Sequence, residues 1–294
     1  MSAGASDLIL APLRGVTIRC FRETFAPEIA AAGFTEAVTP FIAAMPGLDP
    51  LKDRELRRAG GGAAGEGGIL LTPQFIGKDP SALRCALLRI RDAGFATADL
   101  NCGCPFPMVR NKGRGSGLLA SAKSLAAMLQ AGCDAMGDGR FSAKARLGIN
   151  SPGELLALMP VFNAFPLRRL AVHARTAKQM YSGNVDREAF ERVQAAAKIP
   201  VVFNGDAELP PPGAVHPALM VGRAFVRSLG ARDDASLLLA RYIDASSAEL
   251  RADRAVLGRI KELLAYWSDL PRWRRVWPVA KLARSIDELA LAVR

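Results

Sequence analysis

Ala96-Thr97-Ala98-Asp99-Leu100-Asn101-Cys102-Gly103-Cys104-Pro105 begins apolar and ends in an amide, two thiols, a glycine and a proline. That change of character predicts a strand running into a tight turn, because a strand buried wholly in a core rarely ends so polar. Further short β-type runs recur along the chain. Strands are expected at 8–13, 35–41, 69–76, 97–101, 141–147, 168–173, 200–204 and 218–221. Between them, 21–32, 81–93, 121–131, 152–162 and 187–197 carry apolar residues at helical spacing. Eight alternating units predict an α/β chain folded as a (β/α)8 TIM barrel, whose active site lies at the carboxyl ends of the strands.

Those ends test the expectation. Seven of the eight carry polar or special residues: Pro12; Gln74; Asn101 with Cys104; Lys144; His173 with Arg175; Asn204 with Asp206; and Gly222 with Arg223. Each has a bland reading alone, and only the pattern points to chemistry at one mouth. Two stretches break the alternation. The glycine-rich run from Ala59 to Gly68 reads as a loop, either a lid or a tolerated insertion, and Pro210-Pro211-Pro212 cannot continue a helix, so the seventh helix is expected to be lost or trimmed.

The barrel domain is expected over 1–229, followed over 230–294 by a small all-helical domain. Ile260, Leu263, Leu264 and Trp267 form one apolar face, and Ser285-Ile286-Asp287-Glu288 has the form of a capping box. From Arg259 to Arg284 seven basic residues face two acidic ones; Arg272, Arg274 and Arg275 interleave with Trp273 and Trp277. The arginines are the candidates for nucleic-acid contact, and the tryptophans read as core.

Composition narrows the class. The 294 residues carry a formal charge of +11, which draws polyanions. Five scattered cysteines and two histidines argue against a disulfide framework and against a zinc site, and no metal is expected. No export signal or membrane span is apparent, which sets the expectation of a monomer in a reducing cytoplasm.

Three chemical features follow from the strand ends. Asn204-Gly205-Asp206 and Val221-Gly222-Arg223 match the loops after strands seven and eight, where barrels bind phosphate. Lys144 ends a buried strand and can serve as a Schiff-base amine or as a fixed cation. His173, on the next strand's end, is a neighbouring donor. Cys104, held between Gly103 and Pro105, is expected to expose a thiol that acts as nucleophile or as general acid, with Cys102 packed as a small hydrophobe.

The same residues resemble the flavin-dependent tRNA-dihydrouridine synthases. The blocks are Leu10-Ala11-Pro12 with Gly15-Val16-Thr17 and Phe21-Arg22; Gln74-Phe75-Ile76-Gly77; Asp99 through Pro105; Lys112-Gly113 with Gly115-Ser116-Gly117-Leu118-Leu119; Lys144-Ala145-Arg146-Leu147-Gly148; Val172-His173-Ala174-Arg175-Thr176; Gln179-Met180-Tyr181-Ser182-Gly183; Asn204-Gly205-Asp206; and Val221-Gly222-Arg223. They occur in the family's order across most of residues 8 to 225. The resemblance implies a barrel holding FMN, reduced by NADPH, with a C-terminal helical domain that helps bind tRNA.

By that resemblance Pro12, Gln74, Lys144, His173, Asn204, Gly205, Asp206, Gly222 and Arg223 hold FMN. Hydride passes to C6 of a flipped-out D-loop uridine, and Cys104 gives a proton to C5. Asn101, Arg175 and Tyr181 match positions near the uridine, and Arg272, Arg274 and Arg275 would hold tRNA. The helical end and the doubled thiol look like the subgroup acting on the sixteenth-position uridine. Leu13-Arg14, Ile18 and Ala174 depart from the family's usual residues. Two other readings stay open: an FMN barrel oxidoreductase acting on a free pyrimidine or small enone, and a non-catalytic tRNA-binding relative.

Overall fold

The computed structural model describes residues 7–57 and 68–293. The stretch 59–68, apart from its last residue, lies outside the described residues. Eight strand positions run parallel in chain order: β1 (Leu8–Leu10), β2 in two segments (Glu36–Val38 and Ile42–Ala43), β3 in two segments (Leu70–Thr72 and Gln74–Ile76), β4 (Ala98–Cys102), β5 (Phe141–Arg146), β6 (Leu170–His173), β7 (Val201–Asn204) and β8 (Leu219–Val221). All eight fall within the expected runs or one or two residues beyond them.

The ring closes. Glu36 pairs with Leu70 and Ile42 with Phe75, so both halves of β2 lie on both halves of β3; β8 returns to β1 through Leu8 and Leu219. The breaks have a chemical cause, since Pro40 and Pro73 have no N–H to give to a ladder. Thr39 bridges the gap: its N–H donates to Thr72 O at 3.0 Å, and its Oγ1 accepts from Gln74 N at 3.0 Å.

The barrel interior divides in two. Ile9, Ala11, Val38, Ala171, Val202 and Met220 make an apolar cluster on one side. The other side is polar and buried: Gln74, Asp99 and Ser142 on β3 to β5, and at the amino end Glu36, which takes Arg168 and Arg169 as ion-pair partners.

On the outside, α1 (Arg19–Thr24) and α2 (Ala26–Ala31) replace the single helix expected over 21–32. The break falls at Phe25, two residues before Pro27, whose ring clashes with a preceding helical turn. α3 (Pro80–Asp92) buries Leu83, Ala86, Leu87 and Ile90, with Asp79 capping Ser81 N and Ala82 N. A short α4 (Pro107–Arg110) follows β4, and α5 (Ala122–Met136) runs past the expected end at Ala131. Gly132 does not stop that helix; it lets the Phe141 ring lie against the helix backbone. α6 (Gly153–Phe162) and α7 (Arg187–Ala196) match expectation. No helix is described between β7 and β8, as the proline run predicts.

The helix after the eighth strand, α8 (Arg223–Gly230), runs to the expected boundary at 229/230, and the C-terminal part beyond it comprises α9 (Ala235–Glu249), α10 (Asp253–Trp267), α11 (Pro271–Leu282) and α12 (Ile286–Val293). Its core is continuous with the barrel's outer layer: Phe21 of α1 and Phe25, at the break between α1 and α2, pack on Tyr242 of α9 with ring centroids 6.0 and 5.4 Å apart. Trp267 Nε1 donates to Val226 O and Trp273 Nε1 to Gly230 O, each at 2.7 Å, so both indoles are core. Ser285 caps Glu288 N at 3.1 Å, while the Glu288 carboxylate takes Arg284 N at 2.7 Å, one residue earlier than a capping box requires. Among the described residues no helix is long and apolar enough to cross a membrane.

Candidate active site at the barrel mouth

A cavity of about 1400 Å³ opens at the carboxyl ends of the strands. Pro12, Gln74, Asn101, Cys104, Lys144, His173, Tyr181, Asn204, Gly205, Asp206, Gly222 and Arg223 all line it. The strand ends thus converge as the sequence predicts. One wall is unexpected: α10 contributes Gly258, Arg259, Glu262 and Tyr266.

The thiol turn is built from Asn101. Its Oδ1 accepts from Gly103 N at 3.1 Å and from Cys104 N at 2.8 Å, an Asx-type turn that reverses the chain at the end of β4. From the other side, Ser116 N and Ser116 Oγ donate to Cys104 O at 3.1 and 2.9 Å. Gly115 permits that approach: its φ is +56°, and a Cβ there would come 2.8 Å from Cys104 Cβ. Cys104 is therefore fixed, and at 7% exposure it is buried, reached through the cavity and not displayed as the sequence suggests.

Burial pushes the Cys104 thiol up, with the Phe106 backbone and the Arg14 and Arg146 guanidiniums pulling the other way. The group stays protonated at neutral pH, which suits a proton donor better than a thiolate nucleophile. Cys102 sits in the apolar layer outside the barrel, fully buried, with its pKa raised by burial. It packs as a small hydrophobe.

Lys144 Nζ donates to Asn204 Oδ1 at 2.8 Å, and Asn204 Nδ2 donates to Met220 O at 2.7 Å. Burial, then Arg146, lowers the Lys144 pKa to about 8, so the amine is a cation at neutral pH. In the protein without ligand this shift has a sign that can be tested. Between pH 8 and 10.5 the unfolded chain holds more protons on Lys144 than the folded one, so stability gains as pH rises through that window. Urea unfolding across it should show wild type gaining on Lys144→Met; equal pH slopes would mean that Lys144 is not shifted.

His173 is kept neutral by burial and by Lys144, Arg146, Arg175 and Arg223 around it. Gly205, with φ +111°, lies against its ring, and a Cβ there would come 2.6 Å from His173 Cδ2. Asp206 takes both Arg175 and Arg223, and its carboxyl is held below the usual range by the bond from Arg175 and, against its partial burial, by the charge of Arg223. Its carboxylate would repel a phosphate, so its part in the expected phosphate site is to hold Arg223.

Arg175 differs more from the expected place beside a substrate. It is buried, does not line the cavity, and donates from Nε and Nη2 to Gly183 O at 3.1 and 2.6 Å. It braces the β6 loop. Tyr181, which does line the cavity, is 51% exposed, with Arg146 and Arg223 guanidiniums 5.2 and 5.8 Å from its ring centroid. Arg272, Arg274 and Arg275 lie exposed on α11, away from the cavity lining; Arg272 Nη2 donates to Ser236 Oγ at 2.6 Å and Arg274 Nη2 to Asp269 O at 3.1 Å.

Arg146 is the residue that sequence reasoning missed. Its Nε donates to Gly103 O at 2.9 Å, and its Nη1 to Thr176 O at 2.9 Å and Met180 O at 2.6 Å, stapling the thiol turn to the β6 loop. The signal was present, because residues two apart in a strand share a face and Lys144 faces the cavity.

Comparison with protein families matches residues 9–224 to the dihydrouridine synthases. The chain belongs to the dihydrouridine synthase family. Among its relatives, the tRNA-dihydrouridine synthase B of Vibrio vulnificus is 30% identical over 225 residues, covering 74% of this chain and 67% of the relative. That of Pseudomonas aeruginosa is 32% identical over 206 residues, covering 69% and 59%. The tRNA-dihydrouridine(16) synthase of Shigella flexneri is 29% identical over 210 residues, covering 68% and 64%. Among solved structures, morphinone reductase superposes with a TM-score of 0.52 at 11% identity, covering 75% of this chain and 83% of that one. It shares the fold with this dihydrouridine synthase. Among the described residues no cluster of His, Cys, Asp and Glu could hold a metal ion.

Proposed function

We propose that this dihydrouridine synthase reduces the C5–C6 double bond of a D-loop uridine in tRNA, taking FMN as its flavin and NADPH as reductant. The observation that carries the reading is a buried thiol, Cys104, and a lysine, Lys144, lining one cavity at the strand ends. Its volume of about 1400 Å³ exceeds the usual ~300–1,000 Å³ of a single-ligand site, leaving room for a cofactor and an extruded base.

The residues fit a flavin nucleotide. Lys144 and Gln74 offer donors to the cavity, neutral His173 adds a ring nitrogen, and glycines at 205 and 222 keep backbone N–H groups open. At Gly222 a Cβ would come 3.0 Å from Ala11 Cβ, tighter than ordinary contact, so glycine eases the close approach of the start of α8 to the end of β1. The first-turn N–H groups of α8 and Arg223 would hold the phosphate. When bound, the flavin supplies the hydride. Cys104 holds the proton for C5, Asn101 fixes the turn that carries it, and Tyr181 and Arg146 border the space for the base.

The exposed cations of the C-terminal helices supply affinity for tRNA phosphates, and the wall made by α10 joins them to the mouth. Replacing Arg272, Arg274 and Arg275 together is expected to weaken tRNA binding and to reduce the slope of log affinity against log salt by about two. An unchanged slope in filter-binding titrations would place the contact elsewhere. Dihydrouridine mapping in tRNA from cells lacking the protein tests the function and the uridine: one D-loop position, at or near the sixteenth, should revert to uridine, and a full complement at every position would refute it.

A further inference from the structure

Asp99 is wholly buried, does not line the cavity, and has no part in the chemistry described above. It lies in register between Gln74 on β3 and Ser142 on β5. Ser142 Oγ donates to Asp99 Oδ1 at 2.7 Å, and Gln74 Nε2 donates to Asp99 Oδ2 at 2.8 Å. Gln74 Oε1 accepts from Asn101 Nδ2 at 2.8 Å, and Asn101 Oδ1 accepts from Gly103 N and Cys104 N. A chain of hydrogen bonds therefore runs from a buried carboxylate to the backbone of the thiol turn.

Its direction is set at one end. Burial raises the Asp99 pKa, and the end that sets the direction is the turn: the backbone N–H groups of Gly103 and Cys104 only donate, so Asn101 keeps its oxygen for them and presents its NH2 to Gln74. Gln74 must then turn its carbonyl toward Asn101 and its NH2 toward Asp99, which accepts at Oδ2. Reversing Gln74 would set its carbonyl against the carboxylate and its NH2 against that of Asn101. Reversing Asn101 would set an NH2 against two N–H groups. Buried mismatches of this kind are costly, so both amides are locked.

We propose that Asp99 is a positioning residue for the reaction: through Gln74 and Asn101 it fixes the turn that places Cys104. The inference rests on the function proposed above for the word reaction, but the relay itself is a property of the fold. The same direction leaves the second N–H of each amide unused within the relay. Both residues line the cavity.

Three variants test it by two readouts, amide hydrogen exchange at Gly103 and Cys104 in the purified protein, and single-turnover dihydrouridine formation. Asp99→Leu removes the acceptor, and Gln74→Met removes the middle of the relay while leaving the carboxylate. Asp99→Asn can keep the direction: its oxygen accepts from Gln74, and its NH2 donates to Ser142 Oγ, whose proton then serves Ala98 O, already 3.1 Å away.

Exchange at Cys104 should quicken roughly tenfold in Asp99→Leu and in Gln74→Met. Single turnover should slow roughly 100-fold in Asp99→Leu, as misplacement of a reacting group requires. Asp99→Asn should stay close to wild type in both. If Asp99→Leu does not fold, Gln74→Met carries the exchange measurement. Wild-type exchange at Cys104 in the folded variants, or an Asp99→Asn protein as impaired as Asp99→Leu, would overturn the proposal. The stated exchange pattern in a wild-type protein that makes no dihydrouridine would overturn the function instead and leave the relay standing.

Discussion

Cys104→Ala is expected to lower dihydrouridine formation by about 10²- to 10⁴-fold, the usual contribution of a positioned general acid. The turn should survive, because Asn101 and Ser116 bind the backbone of Cys104 and not its side chain. Flavin binding and reduction by NADPH should therefore persist, and the loss should fall on the tRNA-dependent step alone. Cys102→Ala removes an atom from the apolar layer, costs about 1 kcal/mol of stability, and should leave turnover near wild type. Single-turnover assays on the two variants separate the thiols; equal loss in both would refute the assignment of one working thiol.

The second large effect is expected at Arg146. Removing its guanidinium in Arg146→Leu leaves Gly103 O, Thr176 O and Met180 O without the donor they share. A buried acceptor left unmade costs about 1–3 kcal/mol, and of the three only Thr176 O is fully buried, so a loss of stability on the order of 2 kcal/mol is expected from urea midpoints. Catalysis should fall further than stability explains, by roughly 100-fold, because the thiol turn and the loop bearing Tyr181 lose their common anchor. Arg146→Lys should rescue little, since an ammonium cannot reproduce the fork that serves both loops. A folded Arg146→Leu protein with full turnover would show that the staple is not needed for the reaction.

The barrel was legible because seven of the eight strands end in polar or special residues at their carboxyl ends, and the period-2 pattern puts those residues on one face. Lys144, His173 and Asn204 could be placed at the mouth on those grounds, and the cavity holds all three. What the sequence hid were tertiary choices. Arg175 reads as a substrate contact from its place beside His173, yet folding aims it at Gly183 O and Asp206. Asp206 reads as a phosphate neighbour but serves two arginines. The α10 wall was out of reach for a similar reason: a helical pattern gives the buried face, Ile260, Leu263, Leu264 and Trp267, but not which element the opposite face meets. The break at Phe25 and the continuation through Gly132 were set by Pro27 and by the Phe141 ring, one local signal underweighted and one contact that only the fold supplies.

The most direct test mixes the NADPH-reduced flavoprotein, free of oxygen, with tRNA lacking dihydrouridine. The flavin should reoxidise within a single turnover and leave one dihydrouridine for each flavin oxidised, while a free pyrimidine or small enone leaves it reduced. Reoxidation by the small molecule, with no dihydrouridine formed in tRNA, would contradict the account.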